Sequence, residues 1–182
     1  MPRGNKTTPV ILGLLAMGPR SGYDIKREVE EVTGHFWHES FGQIYPTLGK
    51  LSAAGLIVRS VESGARTRHR YRITPAGRRA LAAWLRTPPE PEPARRELLL
   101  KLFFGRAVPP RVLAGHVAAY RERMAELSRT VRATEAELAR TAATDPDLPY
   151  WMLTIEFGKR YAEGARAWAD QTLAALETWE RR

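Results

Sequence analysis

The chain is 182 residues long, 43% hydrophobic and 27% charged, with five Trp, five Phe and six Tyr; that is ample apolar surface for one folded domain or two small ones, and it excludes a disordered chain. The longest apolar run, Val10 to Met17, is far short of the roughly 20 residues of a membrane-spanning helix, and the absence of cysteine excludes disulfides, thiol nucleophiles and Cys-ligated metal. The net charge of +9 makes a polyanion the expected partner, and residues 1–90 hold 14 Lys and Arg against 7 Asp and Glu, whereas residues 91–182 hold 15 against 13, so the first half is expected to bind the anion.

Arg3 and Lys6 followed by Val10 to Gly18 imitate a secretory signal. The apolar stretch is at the short end for such a segment, and the domain that follows needs it as a helix. The expected location is the cytoplasm, with which the lack of cysteine agrees.

Pro9 to Met17 opens a first helix, ended by Gly18-Pro19. Ser21-x-x-Asp24 has the spacing of a capping box and starts a second helix that carries Ile25, Val29 and Val32 on one face and stops at Gly34. A third helix begins between Ser40 and Tyr45, since Ser40-x-x-Gln43 offers another capping box and Pro46 is comfortable only in a first turn; it turns Leu48 and Leu51 inward and ends at Gly55. Two strands follow, Leu56 to Val61 and Arg68 to Thr74, joined by a hairpin tip at residues 63–66. Tyr71 and Ile73 alternate with Arg70 and Arg72, which puts the arginines on the face away from the core. Thr74-Pro75 supplies an N-cap and a first-turn proline for a fourth helix through Leu81, Trp84 and Leu85.

Pro88 to Pro93 is a stiff connector, dividing the chain into residues 1–87, a linker at 88–93, and residues 94–182. Breaks at Pro109-Pro110 and at residues 144–149 cut the last part into one short and two long helices. No internal repeat or low-complexity tract is present. The element order predicts a mainly α protein: a winged helix-turn-helix followed by a helical, coiled-coil-like domain.

The segments Gly22-Tyr23-Asp24-Ile25, Phe41-Gly42-Gln43-Ile44-Tyr45-Pro46-Thr47-Leu48-x-x-Leu51-x-x-x-Gly55-Leu56-Ile57 and Arg68-x-x-Tyr71-Arg72-Ile73-Thr74-x-x-Gly77 resemble the PadR family of transcriptional regulators. Residues 94–182, with Glu97-Leu98-Leu99-Leu100-Lys101-Leu102-Phe103-Phe104-Gly105, look like the longer C-terminal helical domain of one branch. The resemblance implies a homodimeric repressor that binds double-stranded DNA at a palindromic operator. It also implies a third helix in the major groove, the hairpin as wing, and an effector that loosens binding. Such sequences often have arginine where Lys50 stands; lysine keeps the charge without the bidentate fork, which suits a phosphate contact.

Gln43, Tyr45, Thr47 and Lys50 are expected toward DNA, opposite Leu48 and Leu51, because a helix entering a groove needs short polar readers and cations. Tyr23 on the second helix and Arg66, Arg68 and Arg70 on the wing complete the expected DNA contacts. The bland alternative is an ordinary solvated helix face, and Tyr45 serves equally as a packing residue with its hydroxyl on a phosphate. His35-Phe36-Trp37-His38-Glu39 matches no metal motif and has no Cys to complete a shell, so no metal or other cofactor is expected; Phe36 and Trp37 suit the seat of the recognition helix. The chain has no Gly-rich phosphate loop, nucleophile elbow or paired carboxylates, so no catalytic residue is expected. The alternative function is a sequence-tolerant RNA-binding or nucleoid-type dimer.

The first long C-terminal helix carries Leu113, Val117, Tyr120, Met124, Leu127, Val131, Thr134 and Leu138 at alternating spacings of four and three, a heptad seam. The last helix repeats the spacing with small residues at Gly158, Ala162, Ala165 and Ala169. Val117, Tyr120, Met124, Leu127, Val131, Ala162, Ala165 and Ala169 are the expected dimer interface, although a hairpin within one chain uses the same pattern. Trp151, Phe157, Tyr161 and Trp168 are expected to line a pocket for a small aromatic effector, against the alternative that these rings only fill space.

Overall fold

The computed structural model describes residues 6–29, 41–62, 68–91 and 96–181. The chain divides into two compact units, Met1–Pro91 and Glu92–Arg182.

In the first unit, helix α1 (Thr7–Ala16) is apolar almost all round and is accordingly buried, with Ile11, Leu12, Leu14 and Leu15 in the core. Strand β1 (Arg20–Ser21) leads into α2 (Gly22–Glu28). The expected capping box is formed: the Asp24 N–H donates to Ser21 Oγ at 3.1 Å, and the Ser21 N–H donates to Asp24 Oδ2 at 3.1 Å. A short 3-10 turn (Phe41–Gln43) runs into α3 (Ile44–Ala53), whose Pro46 falls in the first turn, where no backbone N–H partner is lost.

Gly55, at φ +68°, ends α3. The Leu56 N–H reaches the Leu51 carbonyl at 3.0 Å and the Gly55 N–H the Ser52 carbonyl at 3.1 Å, which satisfies two orphan carbonyls of the last turn. Strands β2 (Ile57–Glu62) and β3 (Arg68–Ile73) form the antiparallel wing, and β1 pairs with the other edge of β3, giving the order β1-β3-β2. So short a β1 has no sequence pattern and was not expected.

Helix α4 (Pro75–Arg86) is capped by Thr74, whose hydroxyl accepts from the Gly77 N–H at 3.0 Å and donates to the Gly55 carbonyl at 2.8 Å. That double use ties the end of α3 to the start of α4. A Cβ at Gly77 would stand 2.1 Å from the Leu56 carbonyl oxygen, so the close approach requires glycine. The core gathers α1, Ile25 and Val29, the inner face of α3, and Ile57 and Ile73 of the sheet. This is a winged helix-turn-helix.

The second unit holds α5 (Glu97–Phe103), a 3-10 turn (Gly105–Ala107), α6 (Pro110–Thr141) and α7 (Leu148–Glu180). The two long helices pack along their lengths. Ion pairs Arg111–Glu180, Arg121–Asp170, Arg132–Glu163 and Glu135–Lys159 fix them antiparallel. Ile155, Ala162, Ala169 and Leu176, seven apart, are buried on α7. They face Leu113, Val117, Ser128 and Val131 of α6, and Gly158 lets Val131 come close, since a Cβ there would be 3.2 Å from its methyl.

The heptad seam therefore closes within one chain, which takes four of the eight residues expected at the dimer interface out of reach of a partner. Val117, Val131, Ala162 and Ala169 are at most 3% exposed in the single chain and offer nothing to a partner. Tyr120, Met124, Leu127 and Ala165 are half-buried along the same hairpin, and Ser128 rather than Leu127 takes the buried position of its turn.

The Ser21 hydroxyl and N–H hold the Asp24 carboxyl below its ordinary range. A depressed folded-state value means that the carboxylate stabilises the fold above the unfolded value, and that this contribution disappears as pH falls through roughly pH 4 and below. Asp24→Asn is expected to lower stability at pH 7, with the gap to the unmodified protein closing as pH drops below about 4 in denaturant titrations. Gly77→Ala is expected to cost about 1–3 kcal/mol at any pH, because α4 must move off Leu56.

Candidate functional site

Helix α3 has two sharply different faces. Ile44, Thr47, Leu48 and Leu51 are at most 3% exposed, while Gln43, Tyr45, Pro46, Gly49 and Lys50 are exposed. The buried set recurs at i, i+3, i+4 and i+7, the spacing of one helix stripe, and it fixes the rotation of α3 about its axis.

Thr47 belongs to that stripe and not to the outward face, a correction of the expected DNA contacts. At 1% exposure it cannot reach a ligand, and its hydroxyl has no hydrogen-bond partner among the described residues. The i+3 relation to Ile44 was the signal in the sequence; the polar side chain hid it.

Tyr45 is 59% exposed, yet its ring lies over α2: a Cβ at Gly22 would be 2.8 Å from Tyr45 Cε1. Gly22 thus lets the first helix of the motif seat a side chain of the second. Tyr23, 66% exposed, follows directly. Lys50 and Gln43 are open to solvent.

On the wing, Arg72 is exposed opposite Val58, and Arg70 is half-buried opposite Ser21 and Ser60. Arg68 pairs with Glu62 by register; its side chain and all of Arg66 lie outside the described residues, as do His35 to Glu39. Arg59, not among the expected contacts, meets His69, with Nε donating to Nδ1 at 3.2 Å and Nη2 3.0 Å from Nε2. It adds a guanidinium to the exposed wing from the face of Ile57 and Tyr71, so the strand alternation, which turns that face inward, gave no signal for it.

The second unit contains a cavity of about 740 Å³ lined by Arg96, Leu99, Tyr120, Arg123, Tyr161 and Trp168 among others. Tyr120 and Trp168 meet edge to face at 5.8 Å. The guanidinium of Arg96 sits 5.6 Å from the Tyr161 ring centre, and that of Arg123 5.6 Å from the ring of Tyr120. Burial first, then the hydrogen bond to Tyr161, pushes the Tyr120 phenol up to about 12, so it stays protonated at any physiological pH.

Of the four aromatic residues expected here, Tyr161 and Trp168 line the cavity. Phe157 stacks on Tyr161 at 6.3 Å but is 66% exposed, and neither it nor Trp151 is part of the wall, which corrects that expectation. Tyr120 takes their place from the facing helix, a pairing across the hairpin that no local spacing reveals.

A helix held by one apolar stripe, with polar and cationic side chains on its other side and an arginine-bearing wing beside it, is the arrangement of a winged-helix DNA-binding protein. Comparison with known proteins agrees. Residues 11–83 match the transcriptional regulator PadR-like family, and residues 94–177 match the domain described as virulence activator alpha C-term. The negative transcriptional regulator PadR of Bacillus subtilis is 29% identical over 177 residues, covering 92% of this chain and 95% of that protein. Its structure in complex with operator DNA superposes with a TM-score of 0.80 at 27% identity, over 93% of this chain and 98% of that one. Its complex with p-coumaric acid gives 0.77 at 25%, over 97% and 99%. The PadR-like regulator BC1756 of Bacillus cereus gives 0.82 at 27%, over 96% and 100%, and the Vibrio cholerae virulence activator AphA 0.76 at 28%, over 95% and 99%. The chain is thus similar to the PadR-like transcriptional regulators over its first unit and to the virulence activator alpha C-term domain over its second. No helix among the described residues is long and apolar enough to cross a membrane.

Thr47→Val removes an orphan hydroxyl at constant shape. It is expected to raise stability by about 1 kcal/mol in denaturant titrations and to leave DNA affinity unchanged. Lys50→Ala is expected to weaken every DNA sequence alike and to reduce the slope of log affinity against log salt by about 0.9 in anisotropy titrations. A change of sequence preference in Thr47→Val would place that residue at the DNA after all.

Proposed function

We propose that the protein is a cytoplasmic homodimeric repressor that occupies a palindromic operator through α3 and the wing, and leaves it when a small aromatic effector binds the helical unit. The observation that carries this reading is the two-sided burial of α3. Its inner stripe leaves Gln43, Tyr45 and Lys50 outward, on the same unit as exposed Tyr23 and the outward wing arginines Arg70 and Arg72. The operator complex of the B. subtilis relative supports DNA as the partner, and that relative's description as a negative regulator supports repression. Its complex with p-coumaric acid supports an aromatic effector.

With the α6–α7 seam closed inside the chain, the dimer surface falls to the apolar side chains left outside. Tyr150, Leu153 and Phe157 stand on successive turns of α7 at 66–70% exposure, and Phe103 at the end of α5 and Phe104 just after it at 82% and 67%. Water-exposed apolar residues in such density mark an association surface.

Footprinting with the purified full chain upstream of its own gene is expected to protect two half-sites about one helical turn, roughly 34 Å, apart. Affinity for that site is expected to exceed random DNA by about 10³ or more at fixed salt. A flat preference would instead favour a sequence-tolerant nucleic-acid binder. Leu153→Asp with Phe157→Asp is expected to give a folded monomer by sedimentation with weakened operator binding, whereas Val117→Asp, which buries a charge, is expected to unfold the helical unit. A double variant that stays dimeric would move the interface elsewhere.

A further inference from the structure

We propose that the cavity between α5, α6 and α7 is built for a planar aromatic ligand that carries two negative charges, such as an aromatic dicarboxylate or an aryl phosphate. This rests on the reading of the helical unit as an effector domain and goes further by assigning the charge of the ligand. The cavity volume, about 740 Å³, is that of a small-molecule site. Its aromatic wall combines Tyr120, Tyr161 and Trp168, with the first and last locked edge to face, so a flat ring finds faces already in place.

The cations decide the second feature. Three guanidiniums, those of Arg96, Arg123 and Arg160, line the same space. Arg160 is neutralised by Glu156 at 2.7 Å, and the carboxylate in the wall, Glu97, is taken by Lys101 at 3.1 Å. Arg96 and Arg123 have no carboxylate partner among the described residues; each lies over a tyrosine ring of the wall, the first from the residue that precedes α5 and the second from α6. Two uncompensated guanidiniums on different elements favour two anionic groups on one ligand. Both guanidiniums are exposed at the cavity rim, so a monoanion pairs with one and leaves the other to water, while a dianion pairs with both.

Gly164 lies in the interior of α7, where glycine weakens a helix, and a Cβ there would meet no heavy atom within 4 Å. Gly22 and Gly77 are required by close neighbours in the chain; Gly164 is exposed and is not, so a larger side chain there has room to enter the cavity it lines.

The test uses the full chain and three probes of one shape: 4-carboxycinnamate with two charges, p-coumarate with one, and methyl p-coumarate with none. Succinate serves as a dianion without a ring. Tryptophan fluorescence and calorimetry are expected to rank the three in that order, with the dianion about tenfold tighter than the monoanion, and to detect no succinate binding. Arg123→Gln is expected to bring the dianion down to the level of the monoanion. Gly164→Leu is expected to abolish binding of all probes while the unfolding midpoint holds or rises, which separates a filled cavity from a damaged fold.

Equal affinity for the three probes, or binding indifferent to both variants, would overturn the proposal. Operator footprints of the ligand-free protein do not involve the cavity. A protected operator with no dianion binding removes this inference alone, and dianion binding without a protected operator removes the repressor reading alone.

Discussion

Everything the winged unit presents to DNA depends on the rotation of one ten-residue helix about its own axis. Ile44, Thr47, Leu48 and Leu51 set that rotation by burying a single stripe against the rest of the core. A slip of one residue would turn the helix by about 100° and carry Tyr45 and Lys50 off the exposed face. The neighbours of α3 reinforce the constraint at both ends. Gly22 accepts the Tyr45 ring near the start, and at the end Gly55 stops the helix while Thr74 ties that stop to α4. The reading face is therefore the by-product of a packing solution, and the orphan hydroxyl of Thr47 shows that the packing tolerates a polar atom to keep its shape.

The helical unit solves the opposite problem. Two helices of over thirty residues close on each other through alanine and glycine at Ala162, Ala169 and Gly158, so their backbones approach closely and the seam needs few large side chains. The large rings are displaced from the seam: some to its flank, where Tyr120 and Trp168 wall a cavity, and some to the outside, where Tyr150 and Phe157 remain wet. Cross-helix ion pairs hold the register, and the partly buried pair of Lys159 with Glu135 keeps the ammonium above its ordinary range. A rigid hairpin with an open flank is a frame on which a ligand and a second subunit can both act.

The relatives show how little of regulation resides in the fold. A protein described as a negative regulator and one described as a virulence activator share this architecture at TM-scores of 0.80 and 0.76. One architecture thus carries either description, so the fold by itself does not set the sign of regulation.

What the sequence determined by itself was local. The Ser21–Asp24 box, the Thr74-Pro75 start, the Gly55 stop, the alternation of β3 and the heptads of α6 and α7 are interactions between residues a few positions apart, so their spacing states them. The motif around Tyr45 and Pro46 added the family. What only the tertiary structure decided was which side of each pattern is satisfied from within the chain. A heptad reads the same whether its partner helix belongs to the same chain or to another, and only the folded hairpin closes Val117 and Ala169 against their own chain. Thr47 looks like a reader until Ile44, Leu48 and Leu51 draw it inward. Tyr120 and Trp168 meet across two helices, and an encounter between residues so far apart in sequence depends on a register that ion pairs and small side chains set collectively, which no local spacing encodes.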